Sequence, residues 1–329
     1  MKVLVTGATG FLGRHILARL HEREDVTVSG LCRRPERLGS VPIPMHRADL
    51  GDPVALADAL EGVDAVVHAA GGVQHLGHGA EAMYDVHVRG TEALLEACEA
   101  AGVKRFVHLS SSGTIAVSPH AATHDESAER PLAVIKGWPY YRAKLFAEDA
   151  VRASAIEHVI LNPSLILGPA APAPFDRNAA APARVLEPLL QGELPVAPSG
   201  GVSFVDVRDV ADAVLAGLLR GHPGRRYLLA AANWTFADFY ARAARIAQTS
   251  APVARAPRFT RKLFGLLPKQ VRAQALPAEP IELAMASHFW WADARRARTE
   301  LHWGPREPTE TLADALAAQS QDAISASAG

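Results

Sequence analysis

Apolar and polar residues change places in blocks along the first 230 positions of the chain. Short apolar runs fall at Val3–Val5, Val26–Cys32, Asp64–Ala70, Arg105–Ser110 and His158–Asn162, each of strand length. Between them lie longer stretches with apolar residues at helical spacing: Phe11–Leu20, Pro53–Leu60, Glu81–Ala101 and Trp138–Ala153. A weaker strand precedes Asp49. Strands alternating with helices in this order predict an α/β fold with a parallel, doubly wound sheet. From Pro169 to Pro198 Ala and Pro dominate, and a loop-rich crossover is expected. The run Val202–Ala211 reads as a return to the sheet followed by a helix, and Arg226–Ala230 reads as one more strand. Beyond Thr235 the pattern is mainly helical. The expected organisation is a sheet domain of residues 1–168 and 202–232 with a smaller, mainly helical domain of residues 169–201 and 233–318. Residues 319–329, rich in Ser and Ala, read as a flexible tail.

The first strand breaks at once into a glycine turn, Thr6-Gly7-Ala8-Thr9-Gly10-Phe11-Leu12-Gly13, and a helix follows. A nucleotide pyrophosphate requires this order. Gly7 allows the tight turn, Gly10 lets backbone approach phosphate, and Gly13 lets the helix lie close to the strand. The helix N-terminus then offers free N–H groups and a partial positive charge. A second constellation is Tyr140-Tyr141-Arg142-Ala143-Lys144 in a helical stretch. Tyr140 and Lys144 are four apart and share one helix face. A nearby ammonium favours a phenolate, so a lowered Tyr140 pKa is expected. Ser110, Ser111 and Ser112 close the strand Phe106–Leu109 at its carboxyl end, where parallel sheets bind ligands.

Composition narrows the partners. Of 329 residues 49% are hydrophobic, enough for a sizeable core, and the formal net charge of −1 gives no global attraction to nucleic acid. The two cysteines, Cys32 and Cys98, imply no disulfide framework, in keeping with a reducing, cytoplasmic setting. The first strand starts at the second residue, so no signal peptide is expected. No apolar run spans a bilayer. The fourteen histidines make no metal pattern. His75 and His78, set among glycines, read as a flexible loop beside the nucleotide.

These motifs together resemble the extended short-chain dehydrogenase/reductase family, from Met1 to about Val210. The resemblance rests on the glycine signature, on Asp49-Leu50 at the adenine-contacting position, and on His68-Ala69-Ala70-Gly71 lining the cofactor. It rests also on Leu109-Ser110-Ser111-Ser112-Gly113-Thr114, on the Tyr140/Lys144 pair, and on the segment Asn162–Pro169, whose Pro163 packs against the nicotinamide. It implies a Rossmann-type fold with Ser111, Tyr140 and Lys144 catalytic. Cofactor contacts are implied at Gly7, Thr9, Gly10, Phe11, Leu12, Gly13, Asp49, Leu50, Ala69, Ala70, Gly71, Tyr140, Lys144 and Pro163. Two positions depart from the family pattern: His87 stands where Asn is usual, and Ala143 stands where Ser often precedes the lysine.

The second strand ends in Leu31-Cys32-Arg33-Arg34-Pro35, without the acidic residue that selects NAD. Arg33 aligns with the arginine that binds the 2′-phosphate in dihydroflavonol reductase-like members, so NADP is expected over NAD. Leu161–Leu165 lacks the diphosphate motif of nucleotide-sugar epimerases, and Ser111-Ser112-Gly113 lacks the acids of dehydratases. The expected activity is an NADP-dependent reductase or dehydrogenase acting on a carbonyl or secondary alcohol of a fairly apolar small molecule. An NAD-dependent nucleotide-sugar epimerase and a non-catalytic NADP-sensing protein are the alternatives. Arg255–Arg272 interleaves six basic residues with Phe259, Leu263, Phe264, Leu266 and Leu267. It reads as a helix packed on the core, a cover over the substrate, or a surface resting on anionic lipid. Trp290 and Trp291 read as core or pocket wall. A monomer or a homodimer is expected.

Overall fold

The structure is a computed structural model and describes residues 1–72, 80–176, 185–255 and 280–327. Its strands are β1 (Lys2–Thr6), β2 (Thr27–Cys32), β3 (Met45–Arg47), β4 (Ala65–His68), β5 (Arg105–Leu109), β6 (Glu157–Pro163), β7 (Leu165–Leu167), β8 (Val196–Ala197), β9 (Gly201–Asp206), β10 (Arg226–Leu229), β11 (Ala232–Thr235) and β12 (Ala254–Arg255). The helices used below are α1 (Phe11–His21), α2 (Pro53–Ala59), α3 (Ala80–Tyr84), α4 (Gly90–Ala101), α5 (Leu132–Ile135), α6 (Pro139–Ala153), α7 (Glu187–Leu190), α8 (Val207–Arg220) and α9 (Phe236–Ala247).

Seven strands form one sheet in the order β10-β6-β5-β4-β1-β2-β3, and every pairing is parallel. This is a Rossmann-like α/β fold. Alternate residues of each strand face opposite layers. Val3, Val5, Val107 and Val159 pack with Ile16 and Leu17 of α1 and Val214 and Leu218 of α8. Leu4, Val66, Phe106 and Ile160 pack on the other face with Leu56 of α2, Leu94 of α4 and Val151 of α6. Because both faces are covered, the strands read as unbroken apolar runs.

Three expectations change. The strand expected in Val202–Ala211 does not rejoin the large sheet. β9 pairs parallel with β7 and antiparallel with β11, in a separate three-stranded sheet. All six residues of β9 are buried, and a buried run carries no mark of which sheet takes it. α8, which follows, does pack back on α1. The helix expected over Glu81–Ala101 is interrupted by a wide π turn, Asp85–Arg89. From α4 the Thr91 hydroxyl donates back to the His87 carbonyl in this turn at 2.6 Å, which draws that carbonyl toward a side chain. The tail expected from Gln319 is helical to Ser327, continuing the helix that starts at Pro308.

A further core forms around β9, where Phe204 meets Phe239 and Tyr240 of α9, Leu189 of α7, and Leu312. Among the described residues no helix is long and apolar enough to cross a membrane. Cys32 and Cys98 are both free and buried. His75 and His78 lie outside the described residues, and so does the 255–272 segment apart from the backbone of Arg255.

Candidate active site at the strand ends

Every strand of the large sheet points the same way, so the residues that follow the strands gather along one edge. In sheet order that edge carries Asp49 after β3, Arg33 after β2, Gly7 after β1, Ala69–Gly71 after β4, Ser110–Ser111 after β5 and Pro163 closing β6. Arg33 and Ser111 stand three strand spacings apart, about 14 Å.

Backbone proximity builds the glycine end. Gly7 has φ +71°, and a Cβ there would come within 2.6 Å of the Ala69 carbonyl oxygen. A Cβ on Gly13 would sit 2.2 Å from the Gly7 carbonyl. No side chain other than hydrogen fits either place. α1 begins at Gly10 with no side-chain cap and no acidic residue in its first turn. Its N–H groups and partial positive charge are therefore available to an anion, and a dinucleotide pyrophosphate fits this cradle. Thr9, Phe11 and Leu12 are half-buried in the same loop. Arg14, which follows, is buried and donates to the carbonyls of Thr9 (3.0 Å), Phe175 (2.8 Å) and Arg37 (3.2 Å). It ties the loop to two remote segments. Arg33 and Asp49 are exposed, and the Asp49 carboxylate accepts from Gly51 N at 3.0 Å. Leu50 lies against Gly90.

A chain of contacts connects the glycine end to the tyrosine. Gly7 abuts Ala69 and Ala70, and the Ala70 N–H donates to Thr6 Oγ1 at 3.2 Å. Gly71 adjoins the His87 ring, which a Cβ at Gly71 would meet at 2.3 Å. His87 Nε2 donates to the Gly72 carbonyl at 3.1 Å. The same ring stands edge-on to Tyr140, with centroids 5.4 Å apart. Tyr140 meets Tyr141 at 5.0 Å, and Tyr141 covers Gly113 in the turn after Ser111. Tyr141 also packs with Trp138 and Trp290, which makes an aromatic wall beside the phenol. Ser111 is half-buried, and its Oγ accepts from Gly113 N at 3.2 Å.

Lys144, one turn after Tyr140 on α6, is buried and donates to the Leu109 carbonyl at 2.7 Å. Burial lowers its pKa to about 8, while Glu148 acts in the opposite direction. Burial pushes the Tyr140 phenol above its ordinary value, which corrects the expectation of a lowered pKa. The Lys144 ammonium is directed at the Leu109 carbonyl, and the loss of solvent is what raises the phenol.

Sequence reasoning missed the polar layer beneath this site. Glu148 is fully buried on the Tyr140/Lys144 face of α6. It accepts from Ser110 Oγ (2.5 Å), Thr114 Oγ1 (2.8 Å) and Asn162 Nδ2 (2.7 Å), and it pairs with Arg226. One carboxylate thus ties α6 to the ends of β5 and β6 and to β10. The signal was available as a third residue at i+4 spacing, Tyr140–Lys144–Glu148. His68, read from the sequence as part of the segment lining the cofactor, is a second buried polar residue of this layer. Thr91 gives its one proton to the His87 carbonyl, so His68 Nε2 must donate to Thr91 Oγ1 (3.0 Å). His68 Nδ1 then accepts from Thr6 (2.8 Å). Burial, with Lys144 nearby, lowers the pKa of both His68 and His87 to about 3, so both are neutral.

A seven-stranded parallel sheet with a glycine-turn anion cradle defines a dinucleotide-binding class of α/β protein. Residues 3–230 match the NAD dependent epimerase/dehydratase family. The chain belongs to that family, the extended short-chain dehydrogenases/reductases. It is 28% identical over 337 aligned positions to the sterol demethylase protein B of Methylococcus capsulatus, covering 96% of this chain and 98% of that one. It is 33% identical to cinnamoyl-CoA reductase 1 of Arabidopsis thaliana, over 69% of this chain and 70% of the relative. Among solved structures, that of gox2253 superposes with a TM-score of 0.83 at 26% identity, over 97% and 98% of the two chains.

Proposed function

We propose that this protein is an NADP-dependent reductase of a carbonyl group on a fairly apolar small molecule. The observation that carries the reading is the contact chain from Gly7 through Gly71 and His87 to Tyr140. It supports reading the glycine cradle and the buried phenol as parts of one site. Gly7, Gly10 and Gly13 would receive the pyrophosphate, Arg33 a 2′-phosphate, Asp49 and Leu50 the adenine side, and Ala69–Gly71 and Pro163 the nicotinamide side. The nicotinamide cofactor, when bound, supplies the hydride.

Ser111 and Tyr140 hold the substrate oxygen, and Tyr140 gives it the proton. Tyr140 is protonated at neutral pH in the ligand-free site, and the Lys144 ammonium beside a bound cofactor would bring its pKa down toward the range of an effective general acid. Lys144 would hold the nicotinamide ribose and stabilise the tyrosinate left behind. The wall of Trp138, Tyr141 and Trp290 supports an apolar substrate. The name of the Arabidopsis relative supports reduction of a carbonyl compound. Elements beyond Gly168, apart from α8 and β10, would set specificity as a substrate domain.

The test is a turnover panel of apolar aldehydes and ketones with NADPH and NADH, set beside UDP-sugars with NAD. NADPH-dependent reduction of an apolar carbonyl is expected. Interconversion of a UDP-sugar without net redox change, and no response to carbonyls, would replace this reading with the epimerase one.

A further inference from the structure

At the β10 margin of the large sheet, away from the glycine turn, a cleft of about 300 Å³ is walled by arginine. Arg225 and Arg226 stand at the start of β10, Arg152 comes from the last turn of α6, Arg130 from the segment before α5, and Arg296 from the helix Arg295–Glu300. Glu126 is the one acidic residue among the described lining residues.

The charges around the cleft do not cancel. Glu148 takes Arg226 and lies 3.6 Å from Arg152. Asp149 accepts two bonds from Arg130, at 3.0 and 2.5 Å. Glu126 lies 3.6 Å from Arg296. Asp125 also acts on Arg296, so five guanidiniums face four carboxylates, an excess of one positive charge among the described residues. Arg225 is exposed and has no carboxylate partner among them. Arg226 is only 9% exposed, yet its buried Nε has no hydrogen-bond partner among them. A planar guanidinium makes paired, charge-assisted bonds to tetrahedral oxyanions, and several can share one anion.

We propose that this cleft is a binding site for a phosphate-class dianion, taken either as free phosphate or as the phosphate of a small ester. It is separate from the dinucleotide cradle and independent of the reaction assigned above.

Calorimetric titration of the full chain with inorganic phosphate and with glycerol phosphate, at ionic strength fixed by chloride, tests it. Saturable binding of either is expected, and the tighter of the two identifies the source. Arg225→Glu changes an exposed side chain and should leave the melting temperature in phosphate-free buffer unchanged. It should weaken binding at least tenfold, and Arg225→Lys should weaken it less. Arg33→Ala, at the opposite side of the sheet, should leave this binding intact. Absence of binding above the chloride background would overturn the proposal. So would unchanged affinity in Arg225→Glu, or loss of affinity in Arg33→Ala, which would place the phosphate in the dinucleotide cradle.

Discussion

The two halves of the strand-end site are built from different materials. At β1 the chain makes its cradle from backbone: Gly7 and Gly13 sit where a Cβ would approach a carbonyl oxygen at 2.6 and 2.2 Å. At β5 and β6 it uses side chains. Glu148 gathers Ser110, Thr114, Asn162 and Arg226, drawn from three separate parts of the sequence. A backbone cradle is rigid because nothing larger than hydrogen fits, and its electrostatics come from a helix terminus. A side-chain layer is rigid because each polar group is satisfied only by the others. Faults in the first should therefore show in ligand binding, and faults in the second in stability and pH response.

The largest departure is expected at Glu148. Glu148→Ala leaves Arg226 buried without its carboxylate and frees three other donors. Breaking a buried pair from one side costs about 3–5 kcal/mol. Urea unfolding should show a loss of that order, and a loss under about 1 kcal/mol would mean that the layer relaxes or takes up water. Glu148→Gln keeps an acceptor and should lose less.

Next comes Tyr140→Phe, which keeps the ring packing on His87 and Tyr141 and removes only the hydroxyl. Turnover should fall about a hundredfold or more while cofactor affinity changes little. Near-normal turnover on an authentic substrate would remove Tyr140 from the chemistry and leave it as packing.

The contrast between the two halves also explains what could be read in advance. Glycine at three fixed positions declares a close backbone approach locally, within eight residues, so the cradle was legible. The Tyr140–Lys144 pair was legible for the same reason, because both lie on one turn of helix. His87 was visible as a departure, yet its place between Gly71 and Tyr140 depends on a π turn that no local propensity announces. Glu148 shares a helix face with Lys144, but its partners are 14 to 78 residues away in sequence, and spacing cannot show convergence at that range. The sheet to which β9 belongs was hidden likewise, because a strand buried on both faces looks the same in any sheet.

A smaller effect is expected from Arg33→Ala, at the cradle side. A charge-assisted bond to phosphate contributes roughly 1.5–3 kcal/mol, so NADPH affinity should drop about ten- to hundredfold and NADH affinity hardly at all. Equal losses for the two cofactors, or tighter NADH binding by the unaltered protein, would make Arg33 a surface arginine and NAD the cofactor.

The smallest effect per step is the response to acid, and it separates the two halves most cleanly. His68 has a pKa lowered from 6.5 to about 3, chiefly by burial, and in the native protein it stays neutral. Below pH 6.5 the unfolded chain binds a proton at this residue and the folded chain does not. Stability must therefore fall as pH drops from 6.5 toward 3, by about 1.4 kcal/mol per pH unit for such a group. His87 adds the same slope in the same window. Carboxylates also lose native interactions in acid, so the informative quantity is a difference between proteins. His68→Gln retains one donor and one acceptor but cannot bind the proton. Its unfolding free energy, followed from pH 7 to 4.5, should decline more gently than that of the unaltered chain, by close to one proton. Gly10→Ala, in the backbone cradle, should leave the slope unchanged even if it weakens dinucleotide binding. Parallel slopes for His68→Gln and the unaltered protein would show that His68 takes up its proton while still folded. The polar layer would then be open to water in a way that its burial and its hydrogen bonds to Thr6 and Thr91 exclude.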